Sequence, residues 1–121
     1  MRSFSSSLGD WGETVAAEHL QTGGWTIIER KFRAGHKEID LVARRGEVVA
    51  FIEVKTRSSD QFGHPFDAVG PRKQGDIEKA AESWIVEHGE GILTYRFDVI
   101  SIHPGPNGIA AIEHLEDAWG I

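Results

Sequence analysis

Nine residues, Glu47-Val48-Val49-Ala50-Phe51-Ile52-Glu53-Val54-Lys55, run apolar on both sides of a strand before turning charged on one. Side chains alternate along a strand, so Val48, Ala50 and Ile52 line one face while Val49 and Phe51 line the other. A strand of that kind is central in its sheet and covered on both sides. Glu53 and Lys55 then emerge together on one face of it. An isolated buried charge costs several kcal/mol or neutralises itself, so both groups need partners. A metal ion is one solution and a plain Glu53–Lys55 ion pair is the other.

A second charged string, Glu38-Ile39-Asp40, precedes this strand by one tight turn. The turn is most simply Arg45-Gly46, or a four-residue version from Arg44 to Glu47. Either length pairs Glu38 with Glu53 and Asp40 with Phe51, and both strings then share a face. Asp40 and Glu53 lie on a diagonal in that register, roughly 7 Å apart or closer. One divalent cation with oxygen ligands at about 2.1 Å can bridge such a gap. A three-residue loop would reverse the parity. The alternative is that these charges form the wet face of an amphipathic hairpin.

The formal net charge is −6, which opposes nucleic-acid binding as a general expectation. The distribution opposes it less. Between Arg30 and Arg57 stand eight Lys/Arg (Arg30, Lys31, Arg33, Lys37, Arg44, Arg45, Lys55, Arg57) against four acids (Glu38, Asp40, Glu47, Glu53), a local +4. Three of those acids are the candidate cluster, whose charge a bound divalent ion would partly neutralise. A scattered set of solvated surface charges is the competing interpretation. With 121 residues, 40% hydrophobic and 26% charged, the chain has the size and composition of one soluble domain. It has no cysteine, which excludes disulfides and thiolate metal sites and leads to the expectation of a cytoplasmic protein. No stretch approaches the ~20 apolar residues of a membrane span, and residues 1–7 are read as a flexible lead-in.

Leu8, Trp11, Val15, Ala16 and Leu20 fit a helix from about Leu8 to Thr22, stopped by Gly23-Gly24. Glu13 falls at the edge of its apolar stripe, either pointing toward the sheet or exposed in the first turns. Trp25–Phe32, His36–Arg44 and Val48–Arg57 are expected strands, and Ser58–Pro65 is a turn-rich loop placed to sit over the site. Gly70-Pro71 opens a helix with Ile77, Ala80, Ala81, Trp84, Ile85 and His88 on one stripe. Lys73, in its first turn and on that stripe, faces a negative ligand or else snorkels to water. Leu93–Ile102 and Ile109–Leu115 are a fourth and a fifth strand, the last at an edge, and Arg96 with Asp98 reads as an internal ion pair. The six histidines lack zinc-site spacing, and no phosphate-binding glycine loop or Gly-x-Ser-x-Gly elbow is present.

Gly12-Glu13 on a first helix, Glu38-Ile39-Asp40-Leu41-Val42-Ala43, Phe51-Ile52-Glu53-Val54-Lys55-Thr56-Arg57, Ala68-Val69 with Lys73, and Arg96-Phe97-Asp98-Val99-Ile100 follow one another in order. Together they resemble the bacterial YraN family, also catalogued as uncharacterised protein family UPF0102, over nearly the whole chain. The central string resembles the PD-(D/E)xK signature of type II restriction enzymes and archaeal Holliday-junction resolvases. The resemblance implies an α/β, restriction-endonuclease-like fold, a mixed β-sheet flanked by α-helices. It implies Asp40 and Glu53 as metal ligands, Lys55 as the catalytic lysine and Glu13 as a first-helix glutamate joining the site.

The resulting expectation is a Mg²⁺- or Mn²⁺-dependent endonuclease hydrolysing DNA, branched or otherwise structured DNA included, in repair or recombination. Oxygens from Asp40 and Glu53 with a strand carbonyl near Val54 suit a hard cation that keeps several waters. Arg33, Lys37, Arg57 and Lys73 are the candidates for phosphate contact. A two-fold dimer would suit a symmetric branched substrate by analogy. Two other readings stay open: a non-catalytic nucleic-acid-binding or adaptor domain on the same fold, and a protein-interaction module whose Glu53–Lys55 pair is structural.

Overall fold

The computed structural model describes residues 4–57 and 69–119, with side chains from residue 8 onward. The expected loop Ser58–Pro65, with Ala68, lies outside the described residues. Two helices and five strands follow in the order α1 (Phe4–Thr22), β1 (Thr26–Ala34), β2 (Lys37–Arg45), β3 (Val48–Thr56), α2 (Pro71–His88), β4 (Thr94–Pro104) and β5 (Ala110–Trp119). Helix α1 begins four residues ahead of its expected start at Leu8.

The five strands form one sheet in the order β1-β2-β3-β4-β5. Neighbours are antiparallel except β3 and β4, which run parallel through the α2 crossover. The result is a mixed α/β sheet with the architecture expected of a restriction-endonuclease-like fold. β3 is the middle strand, and Val49 through Val54 are all buried, as its two apolar faces require. Ala50, Ile52 and Val54 pack with Ala16, Ala17 and Leu20 of α1. Val49 and Phe51 pack with Ile77, Ala80, Ala81 and Trp84 of α2. The Phe51 ring meets Trp84, Tyr95 and Phe97 at centroid distances of 5.7, 5.9 and 5.8 Å. Removing such a ring would cost about 3–5 kcal/mol.

Two local devices set the positions of the polar residues. Helix α2 starts where expected, with Gly70 extended at its N-cap and Pro71 in its first turn. Gly12 of α1 lies close against β3: a Cβ there would overlap Thr56 Oγ1. Among the described residues no helix is long and apolar enough to cross a membrane.

Candidate active site

The hairpin between β2 and β3 closes through Gly46-Glu47, with Arg45 opposite Val48. Gly46 has φ +62° and Glu47 does not share the positive φ, the pattern of a type II′ turn. The expected register was therefore wrong by two residues. Val42, and not Asp40, lies opposite Phe51, and Leu41 lies opposite Ile52. Glu38 is not the partner of Glu53; it pairs with Arg33 on β1. An even shift keeps the parity, so it brings Asp40 and Glu53 level instead of diagonal.

The β2–β3 ladder ends at the Leu41–Ile52 pair. Just beyond it the Asp40 side chain takes over the role of a ladder acceptor, its Oδ2 receiving the Val54 N–H at 2.8 Å. Val54 thus positions Asp40 through its amide, a role that the expected carbonyl ligand did not include. The Asp40 and Glu53 carboxyls act on each other. Two adjacent carboxylates cannot both ionise cheaply. Burial, then the charge of Glu53, pushes Asp40 up to about 7 against the opposing Val54 hydrogen bond. Burial also raises Glu53, although Lys73 and Lys55 pull it down.

Glu53 is 5% exposed, and its Oε2 has no hydrogen-bond partner. Lys55 Nζ stands 3.8 Å from Glu53 Oε1, and Lys73 Nζ 3.8 Å from Oε2. Those separations exceed a hydrogen bond, so two cations hover over the carboxylate without satisfying it. Lys73 thus reaches from a side chain 43% exposed toward the buried Glu53 carboxylate.

Glu13 is buried, 7% exposed, which removes the water-exposed alternative. The preceding residue, Gly12, lies against Thr56 of β3, so this turn of α1 sits close to the sheet. Burial raises the Glu13 pKa, opposed by a hydrogen bond from Lys31 and reinforced by the charge of Asp40. Lys31 Nζ donates to Glu13 Oε2 at 2.9 Å, and Glu13 Oε1 has no hydrogen-bond partner, with Arg30 Nη2 at 3.9 Å.

The remaining candidates sit around this centre. Arg33 makes a 3.1 Å ion pair with Glu38, whose charge acts on both Asp40 and Glu53. Lys37 lines a cavity of about 290 Å³ with Arg33, Lys79 and Ser83 between the β1–β2 turn and α2. Arg57 follows the end of β3, its N–H donating to Ile102 O at 2.9 Å. Sequence reasoning missed Lys31 and Arg30 as site residues and counted them only as local charge. Their proximity to Glu13 depends on an irregularity in β1 that no periodicity announces.

Among the described residues no group of three or more His, Asp or Glu is placed to hold a metal ion. The pair Asp40 and Glu53 nevertheless fits a hard divalent cation. Its donors are oxygens, and one buried oxygen lacks a partner.

Residues 12–102 match the model of a family described as uncharacterised protein family UPF0102. The chain belongs to that family. A UPF0102 protein of Frankia alni is 42% identical over 113 residues, spanning 93% of this chain and 94% of its own. One of Chlorobium phaeobacteroides is 40% identical over 98% of each chain. Among solved structures, Pyrococcus furiosus SfsA in complex with Ca²⁺ is similar at a TM-score of 0.39 and 14% identity. That match covers 93% of this chain but only 63% of SfsA, a likeness too distant to bear on function.

Proposed function

We propose that this UPF0102 protein is a Mg²⁺- or Mn²⁺-dependent nuclease that hydrolyses phosphodiester bonds in DNA. The observation that carries the reading is the Asp40–Glu53 pair at the end of the β2–β3 ladder, under-satisfied and overhung by Lys55 and Lys73. Perturbed carboxyl groups with specific charge partners cluster at functional sites. Asp40 and Glu53 would hold the cation, which when bound supplies charge neutralisation and a water of lowered pKa. Lys55 is placed to orient the attacking water or to neutralise the phosphate being cut. Lys73, at the start of α2, would steady a flanking phosphate, and Glu13 would hold a water at the rim. Branched or otherwise structured DNA is the proposed substrate form.

The test is cleavage of linear, single-stranded, flapped and four-way-junction DNA with Mg²⁺ or Mn²⁺, alongside Asp40→Asn and Lys55→Ala. Both variants should lose at least about 10²–10³-fold in rate, the usual cost of removing one electrostatic group from such a centre. Metal-dependent cutting that survives in both would refute the assignment. The lack of a third metal-ligating side chain among the described residues favours one alternative, a DNA-binding domain without catalysis. It predicts salt-sensitive DNA binding with no cleavage on any substrate.

A further inference from the structure

Lys31 is the one lysine around the acidic centre whose contact with a glutamate is a short hydrogen bond. Its backbone explains how. On β1, Arg30 pairs with Leu41 and Phe32 with Ile39, so Lys31 falls opposite Asp40 without a ladder partner of its own. It adopts φ +54°, the left-handed region that a non-glycine residue enters at a cost. Irregularities of this sort re-aim a side chain, and they collect next to functional centres. Here the ammonium is carried to α1, where it lies 2.9 Å from Glu13 Oε2 and 3.6 Å from Asp10 Oδ1. The Glu13 side chain is 9% exposed and that of Lys31 is 46% exposed. The cation reaches in from solvent and has a route out, whereas the carboxylate has none.

We propose that Lys31 is a tethered cation that neutralises Glu13 and competes with a divalent ion at Asp40 and Glu53 for that carboxylate's negative charge. The inference rests on the reading of Asp40 and Glu53 as a cation site. The charges of Glu13 and Asp40 act on each other, so an ion held at Asp40 lies within the field of Glu13. With the ammonium seated, the centre offers a divalent ion two carboxylates, and Glu13 Oε1 stays without a donor. With the ammonium displaced, Glu13 adds a third negative charge, which strengthens cation binding. The strained backbone at Lys31 holds this competitor in place.

The experiment is a calorimetric Mn²⁺ titration of the full chain and of Lys31→Asn, Glu13→Gln and the double variant, with circular dichroism to establish folding. Asparagine tolerates the left-handed backbone, and Lys31→Gly serves as a second variant if Lys31→Asn does not fold. The expected result is Mn²⁺ binding roughly tenfold tighter in Lys31→Asn, with the gain absent when Glu13 is already Gln. Binding to the unaltered chain with no gain in Lys31→Asn would overturn the competition while leaving the cation site standing. A gain that persists in the Glu13→Gln background would overturn the Lys31–Glu13 assignment. No binding to any of the four proteins at millimolar Mn²⁺ would overturn the cation site, and the competition with it.

Discussion

Asp98 on β4 and Asp40 on β2 are acids of the same sheet whose surroundings push them in opposite directions. Asp98 is fully buried and fully served. It accepts from Arg96 Nη2 at 3.0 Å, His114 Nε2 at 2.8 Å and the Asp117 N–H at 3.0 Å. That amide is delivered by a bulge in β5 between the Phe97–Trp119 and Val99–Leu115 pairs, where Asp117 takes φ +50°. Burial alone would raise the Asp98 pKa, but the hydrogen bonds from His114, Asp117 and Arg96 hold it below the usual carboxylate range. His114 passes the network on to α1 through a 3.1 Å contact between its Nδ1 and His19 Nε2. Asp40 receives one amide and the charge of a second carboxyl. The fold satisfies the buried Asp98 completely and leaves the half-buried Asp40 short of positive charge. The first arrangement locks the β4–β5 edge to the sheet, and the second leaves a cation or a phosphate-bearing ligand something to complete.

The largest expected effect separates the two acids directly. Asp98→Ala removes the carboxylate that Arg96, His114 and the Asp117 N–H share and should cost about 3–5 kcal/mol in urea unfolding. Asp40→Asn should cost nothing or stabilise the metal-free protein, because it removes a charge that burial opposes. Equal losses in both variants would erase the contrast.

The next test is pH. Asp40 is raised from 3.8 to about 7, so the folded chain retains a proton that the unfolded chain has released over that window. Its contribution to stability is complete below about pH 3.8, declines as pH rises, and is lost above about pH 7, at up to about 1.4 kcal/mol per pH unit. Asp98 has the opposite sign: its contribution is present above 3.8 and is lost as pH falls through a lower value. Urea melts from pH 4 to 8 in a chelating buffer should show a flatter profile for Asp40→Asn than for the unaltered chain. An unchanged profile would mean that the pair does not hold the proton.

Smaller effects test how each acid is positioned. Gly12→Ala forces a methyl into Thr56 and should destabilise by about 1–3 kcal/mol. It should also lift Glu13 off the site, read as a weakened Lys31–Glu13 coupling in the Mn²⁺ titration. His114→Leu removes one of three donors to Asp98 and should cost about 1–3 kcal/mol, less than Asp98→Ala because Arg96 and Asp117 remain. A loss as large as that of Asp98→Ala would assign the whole network to the histidine.

Much of the architecture was legible because it follows from periodicity. The two-faced apolar run of β3, the α2 stripe from Ile77 to Trp84 and the Arg96–Asp98 pair all lie where alternation and helical spacing put them. The pairing of Asp40 with Glu53 was legible only up to an even shift, because the turn residues Arg45-Gly46-Glu47 permit two-residue loops in more than one frame. His114 could not be linked to Asp98, nor Lys31 to Glu13, from the chain alone. The Lys31 contact depends on a strand irregularity, where a left-handed residue that is not glycine leaves no compositional mark, and the His114 contact on the β4–β5 register.

The sequence by itself determined which strand is central, which helices cover it and which acids and lysines share the β2–β3 face, because burial and alternation are local properties of the chain. Tertiary structure alone decided that Asp98 would be neutralised and Asp40 would not. The charge balance at a buried carboxylate depends on how many donors distant segments bring within about 3 Å, and bulges and close helix approach control that number.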